Sequence, residues 1–320
     1  MGNTPTSHFL HARVRENIFK ETIMDFLLTL INGLSLGGIY AMIALGYTMV
    51  YGIAKMLNFA HGDVIMVGGY SIFVFSAMSI GSVPPAVSLL VAVLAAVLLC
   101  ACLGFGIEKI AYKPLRGASP LAVLITAIGV SSFLKSLAQV LFGSAAKYVT
   151  FPDFGVVTLG PVSVNVSTAI TLVSTALVMV LLTLFVKRTK TGRAMLAVSE
   201  DREAALLMGV NTNFIISITF VVGSTLAALA GLFSLMNVPF ITPTFGSLPG
   251  IKAFTAAVIG GIGSIPGAML GGILLGLVEC ICNSIPAVAP YTNAIEFAIL
   301  IVILIVKPTG ILGKKRREKV

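Results

Sequence analysis

At 320 residues, 57% hydrophobic and only 10% charged, the chain is too apolar for a soluble globular domain. Its formal net charge of +9 sits mainly in short loops and the tail. That is the pattern of a positive-inside membrane protein and not of a nucleic-acid binder. The 32 glycines fall largely inside apolar runs, as they do where helices pack closely in lipid. The expected class is an all-α polytopic membrane protein, with about eight or nine transmembrane or half-spanning helices.

Residues 1–23 read as a polar, unpatterned extension carrying Arg13, Arg15 and Lys20, and Met24 opens directly onto the first apolar run as the expected start. The first span, 26–51, is interrupted by Gly33, Gly37, Gly38 and Gly46, and Gly33 with Gly37 makes a GxxxG face for close helix approach. The stretch 52–63, GIAKMLNFAHGD, is too polar for lipid. Its His61 and Asp63, one residue apart and flanked by glycine, suit a turn better than a proton relay. Spans follow at 64–80 and 84–107. The loop 108–120 has three basic residues against one acid and is expected in the cytoplasm. In the span 121–142, Lys135 can snorkel toward the surface. Residues 143–165, with two prolines and β-favouring residues, read as an external loop before the span 166–186.

Next comes the most charged stretch, 187–209, KRTKTGRAMLAVSEDREAALLMG, with eight of the 33 charged residues. Its second half reads as a small helix. Ser199 is the expected N-cap, and Glu200, Asp201 and Glu203 sit in the first turn, where the helix dipole favours negative charge. Gly209 is the expected C-terminal stop, and Ala204, Leu207 and Met208 share one face. By spacing alone this fits an ordinary cytoplasmic loop as well as a docking helix.

The remaining spans are 214–236, 268–285 and 291–306, with 251–262 too short for an untilted crossing. Gly263, Gly267 and Gly271 repeat every four residues and Gly276 follows, leaving faces of almost bare backbone for tight packing. Glu279 and Glu296 lie in apolar surroundings and need partners. Lys314 to Arg317 are four consecutive basic residues, which predicts a cytoplasmic C-terminus. Counting nine segments back from that tail puts the N-terminus outside. Residues 26–80 and 214–285 share a pattern of long span and glycine-broken short segment, the mark of an internal repeat at a transport pathway. The pairs Cys100/Cys102 and Cys280/Cys282 lack the second half of a zinc site and read as small buried residues. The chain has no GxxxxGK[ST] and no Ser/His/Asp constellation, so no catalytic or metal site is expected.

Four stretches carry a resemblance. EAALLMG (203–209) looks like the EAA-x-x-x-G loop of ABC-importer permeases, although no Leu-Pro follows. ALGYTMVYGIAKMLNFAHGD (44–63), IKAFTAAVIGGIGSIPGAMLGG (251–272) and KPTGILG (307–313) are similar to the LivH-type permease of branched-chain amino acid ABC transporters. The resemblance runs from about Met24 to the end and implies a permease domain, 24–313, with a coupling loop, 187–213, and a basic tail, 314–320. It implies that Arg193, Ser199, Glu200, Asp201, Glu203, Ala204, Ala205, Leu207, Met208 and Gly209 meet a cytoplasmic ATPase.

By the same resemblance the partners are a second related permease, two ATPase subunits, an external substrate-binding protein and the lipid bilayer of a bacterial inner membrane. This chain would bind no cofactor of its own, with ATP and Mg used by the ATPases. Cargo would be leucine, isoleucine or valine, with Asn32, Tyr40, Tyr47, Asn58, Asn237 and Thr255 as pathway candidates. A urea or short-amide permease and an ion-coupled carrier acting alone are the competing readings.

Overall fold

The computed structural model describes residues 6–78, 84–152, 154–159 and 162–313, with the backbone alone for 6–22, 159 and 162. The basic run Lys314 to Arg317, and with it the sequence-based reading of the tail, lies outside the described residues. In chain order the helices are α1 (Thr6–Ala54), α2 (His61–Met78), α3 (Pro85–Ile107) and α4 (Pro120–Phe142). After a hairpin region come α5 (Val166–Arg188), α6 (Lys190–Glu200), α7 (Arg202–Leu207) and α8 (Thr212–Asn237). The last three are α9 (Ser247–Gly260), α10 (Ile265–Ser284) and α11 (Thr292–Val306). Among the described residues eight helices are long and apolar enough to cross a membrane, and the apolar α9 is shorter. The fold is that of an all-α polytopic membrane protein. Helical backbone also runs back to Thr6, through much of the extension in which the sequence shows no pattern.

The two ends of the bundle differ. One carries small antiparallel pairs: β1 (Lys147–Tyr148) with β4 (Phe240–Ile241), and β2 (Val156–Leu159) with β3 (Val162–Asn165). The other carries 108–119, α6, α7 and the segment after α11. α1 runs from the hairpin end, where Ser35 Oγ donates to the Thr168 carbonyl, to the opposite end, where Gly52 faces Gly263. The N-terminal part of α1 and the end of α11 therefore lie at opposite ends, as an odd number of passes requires.

Glycine sets how closely the helices approach. A Cβ on Gly276 would stand 2.2 Å from the Gly37 backbone nitrogen, and one on Gly272 would stand 2.3 Å from that of Ala41. α1 and α10 are therefore in backbone contact along Gly33, Gly37, Gly272 and Gly276. Gly267 and Gly271 do the same for α10 against Gly260 and Ala256 of α9. Gly263 differs: it lies between helices with φ +94, a backbone turn that only glycine adopts without strain.

Two of the helices begin inside the bundle. α1 ends at Ala54, Lys55 adopts φ +57, and the chain turns back so that α2 starts at His61 beside Gly46. Gly46 is eight residues (54 − 46), about 12 Å, in from the end of α1. After α8 the chain likewise dips inward, and α9 begins where Gly246 and Gly250 touch Gly62 of α2. From there α2 runs to the hairpin end and α9 to the opposite end. α1 and α8 also run in opposite directions and cross at Gly46 and Gly223. Long helix followed by interior-starting helix thus occurs twice, in inverted orientation.

Candidate functional site

At the end opposite the hairpins, the charged stretch folds into two helices and not one. Thr189 caps α6, its hydroxyl accepting from the Gly192 N–H at 2.9 Å. Met195 and Val198 of α6 are buried beneath it, while Arg193 and Glu200 stay exposed. The chain then breaks at Asp201, which is extended at φ −147. Its carboxylate accepts from the N–H groups of Glu203 (3.1 Å) and Ala204 (3.0 Å), satisfying two of the orphan donors of α7. Asp201 is thus the N-cap. Ser199, expected in that role, lies inside α6 and donates to the Leu196 carbonyl at 2.7 Å. A carboxylate that accepts from two N–H groups and carries charge at the positive helix end is the stronger cap.

Gly209, at φ +81, stops the helix after Met208, and Val210 N–H returns to the Ala205 carbonyl at 3.0 Å. Asn211 then caps α8 by accepting from Phe214 N–H. With both ends of α7 fixed, its apolar side chains point outward. Leu207 is 87% and Met208 84% exposed, Leu206 is exposed beside them, and only Ala205 of the helix is buried. Glu203 and Ala204 share the open surface.

Behind α7 lies an open groove of about 1040 Å³. Its walls include Tyr51 and Met56 near the end of α1, Leu121 of α4, and Ser199 to Arg202 at the α6–α7 joint. The loop 108–119 is tied to α8 there. Glu108, wholly buried, accepts from Ser217 Oγ at 2.7 Å and pairs with Arg116, which also donates to Asn213. The α6–α7 joint thus faces the ends of α1 and α4 across this groove.

The six polar residues singled out as pathway candidates fall in two groups. Asn32 and Asn237 are exposed near the hairpin end. Tyr40, Tyr47, Asn58 and Thr255 are buried in the core of this chain. Tyr47 meets the His61 ring edge-on at 4.7 Å, and Asn58 accepts from Tyr112 OH at 3.0 Å. Asp63, in the first turn of α2, pairs at 3.6 Å with Lys135, which turns inward to α2. The four cysteines are free thiols, and Cys102, expected buried, is exposed.

Sequence reasoning left Glu279 and Glu296 without partners, and the structure supplies one that serves both. Lys252 of α9, only 3% exposed, sits 2.7 Å from Glu279 Oε1 and 3.2 Å from Glu296 Oε2. Tyr40 OH donates to Glu279 Oε2 at 2.7 Å. The available signal was a lysine at the start of an otherwise apolar segment.

The fold defines a multi-helix membrane protein. The family model described as the branched-chain amino acid transport system permease component matches residues 29–304, and the chain belongs to that family. It is 44% identical over 309 residues to the high-affinity branched-chain amino acid transport system permease protein BraD of Pseudomonas aeruginosa, covering 93% of this chain and 99% of that one. It is 41% identical to LivH of Escherichia coli, a permease of the same description, covering 94% and 99%. A probable branched-chain amino acid transport permease protein LivH of Methanocaldococcus jannaschii is 30% identical over 85% of this chain and 88% of its own.

Proposed function

We propose that this chain is the permease subunit of an ATP-driven importer that carries leucine, isoleucine and valine across a bacterial inner membrane by alternating access. The observation that carries the coupling part is α7, capped at both ends and holding Leu207 and Met208 out of the protein. Two large apolar side chains at the surface of a rigid six-residue helix form a knob for a socket on another protein. Burying both would contribute about 3–6 kcal/mol.

In this reading the socket belongs to a cytoplasmic ATPase, one of two, which binds ATP and Mg; this chain binds neither and catalyses nothing. Arg193, Ser199, Glu200, Asp201 and Glu203 frame the knob, and Ala204, Ala205 and Gly209 give it its shape. The end bearing α7 faces the cytoplasm, as does the C-terminus. ATP-driven closure pushes α7, the α6–α7 joint passes the push to the surrounding helices, and the central helices rearrange.

Cargo arrives from an external binding protein and crosses between this permease and a second, related one. Asn32 and Asn237, exposed at the far end, are its first polar contacts. Tyr40, Tyr47, Asn58 and Thr255 become available only after rearrangement. Few free intramembrane charges suit a zwitterion with an apolar side chain. The test is uptake of labelled leucine into proteoliposomes holding the full complex, binding protein and ATP. Uptake should need ATP and fall with excess isoleucine or valine but not urea. Uptake without ATP, or competition by urea alone, would overturn the reading.

A further inference from the structure

The chain between α8 and α9, residues 238–246, brings non-helical backbone to the middle of the membrane. Gly246 touches Gly62, the neighbour of His61, and His61 sits where Gly46 crosses Gly223. Gly223 is 11 residues from the start of α8 (223 − 212) and 14 from its end (237 − 223), so the crossing lies near half depth. Thr244, two residues before Gly246, is nevertheless open on the outside of this chain. Hydrocarbon does not cover irregular backbone at such a depth. Only protein or water can.

The open surface continues along α9. That helix packs on α1, α2, α10 and α11, yet Leu248 is 48% and Ile251 51% exposed. With Thr244 they form one strip, polar at its start and apolar after it. The Thr244 hydroxyl lies 3.4 Å from that of Thr242, so two hydroxyls stand together at the head of the strip. Toward the α7 end the strip runs into aromatic rings. Phe254 of α9 meets Phe59 at a centroid distance of 5.6 Å and Tyr47 edge-on at 5.8 Å. Phe59 lies in the break between α1 and α2, so each of the two inverted units supplies one phenylalanine. Leu57, Met56 and Lys55 of the same break already belong to the groove behind α7.

We propose that this open side of α9 is a wall of the cargo passage, with the Phe59–Phe254 pair as its barrier on the α7 side. The proposal rests on the reading of the chain as an amino acid permease and names the surface that cargo meets at half depth. Thr242 and Thr244 offer hydroxyls to the zwitterionic head, and Leu248 and Ile251 offer apolar surface to a branched side chain. A passage suits this strip better than a dry contact with a second permease. Water and a polar head can satisfy the hydroxyls in turn, and the strip leads to a groove that is itself open.

The test uses the full complex in membrane vesicles of either orientation. The four native cysteines of this chain are replaced by alanine in a version that still imports leucine. Ile251→Cys is treated with a charged methanethiosulfonate reagent. Leu177→Cys, exposed halfway along the spanning helix α5, is the lipid-facing reference. From the hairpin side Ile251→Cys should react at least tenfold faster than Leu177→Cys, and its modification should stop leucine uptake. From the α7 side it should react slowly, and Phe59→Ala or Phe254→Ala in the same chain should raise that rate at least tenfold. Reaction no faster than at Leu177→Cys, which is the result for a face sealed by a second permease, would overturn the proposal. So would a rate from the α7 side that neither alanine changes. ATP-dependent leucine uptake by the same variants judges the permease reading separately: uptake with an unreactive Ile251→Cys removes the passage and leaves that reading standing.

Discussion

Two of the shorter helices of the permease, α7 and α9, are built inside out relative to each other. α7 lies at the end of the bundle and shows solvent a leucine and a methionine. α9 lies within the bundle and buries a lysine. α9 finds everything its misfit residue needs inside this chain: two carboxyls, one of them further held by a tyrosine. α7 finds nothing for Leu207 and Met208, although its backbone is capped as carefully as any helix here. A misfit that is compensated internally belongs to the architecture. One that is left open on a capped helix is where we propose an interface.

That contrast can be broken most severely at Lys252. Lys252→Met leaves two carboxyls without a cation and should cost about 3–5 kcal/mol, the usual penalty for stripping one partner from a buried pair. Little monodisperse protein should survive detergent size exclusion. Restoring neutrality with Glu279→Gln and Glu296→Gln in the same chain should recover much of the yield. Next in size is Gly276→Val, whose side chain would enter the backbone of Gly37 and force α1 from α10. A loss of about 3 kcal/mol is expected, read as a lower Tm.

Gly209→Val is smaller still. Open space surrounds Gly209, so the cost is that of φ +81 alone, about 1–2 kcal/mol. Coupling should fall more than stability does, because the turn aims α7. The smallest effect on stability is expected for Leu207→Asp with Met208→Asp, within about 0.5 kcal/mol, since both side chains already face water.

The spans were legible because a bilayer demands long apolar runs, and α9 stood out because it was too short to be one. The stop at Gly209 was legible because positive φ selects glycine. The start of α7 was not. Ser199 and Asp201 are both good capping residues, and only the extended backbone at Asp201 decides between them. The core cluster was half legible. Two glutamates in apolar runs announce a missing cation, but Lys252 lies 27 residues before Glu279 (279 − 252) and on another helix. Tyr40 is more distant still. Pairing across helices is a property of the packing, and one sequence carries no signal for it. The same holds for the pathway candidates. Polar residues in spans were visible, but which of them the chain would bury against itself was not.

The central claim is that α7 transmits the ATP cycle. Its most direct test is ATP-dependent leucine uptake and ATPase activity of the reconstituted complex carrying Leu207→Asp and Met208→Asp, with Tm measured on the same preparation. The account predicts an unchanged Tm for the permease, with uptake reduced at least tenfold and ATP hydrolysis no longer stimulated by loaded binding protein. Wild-type uptake from that variant would contradict it.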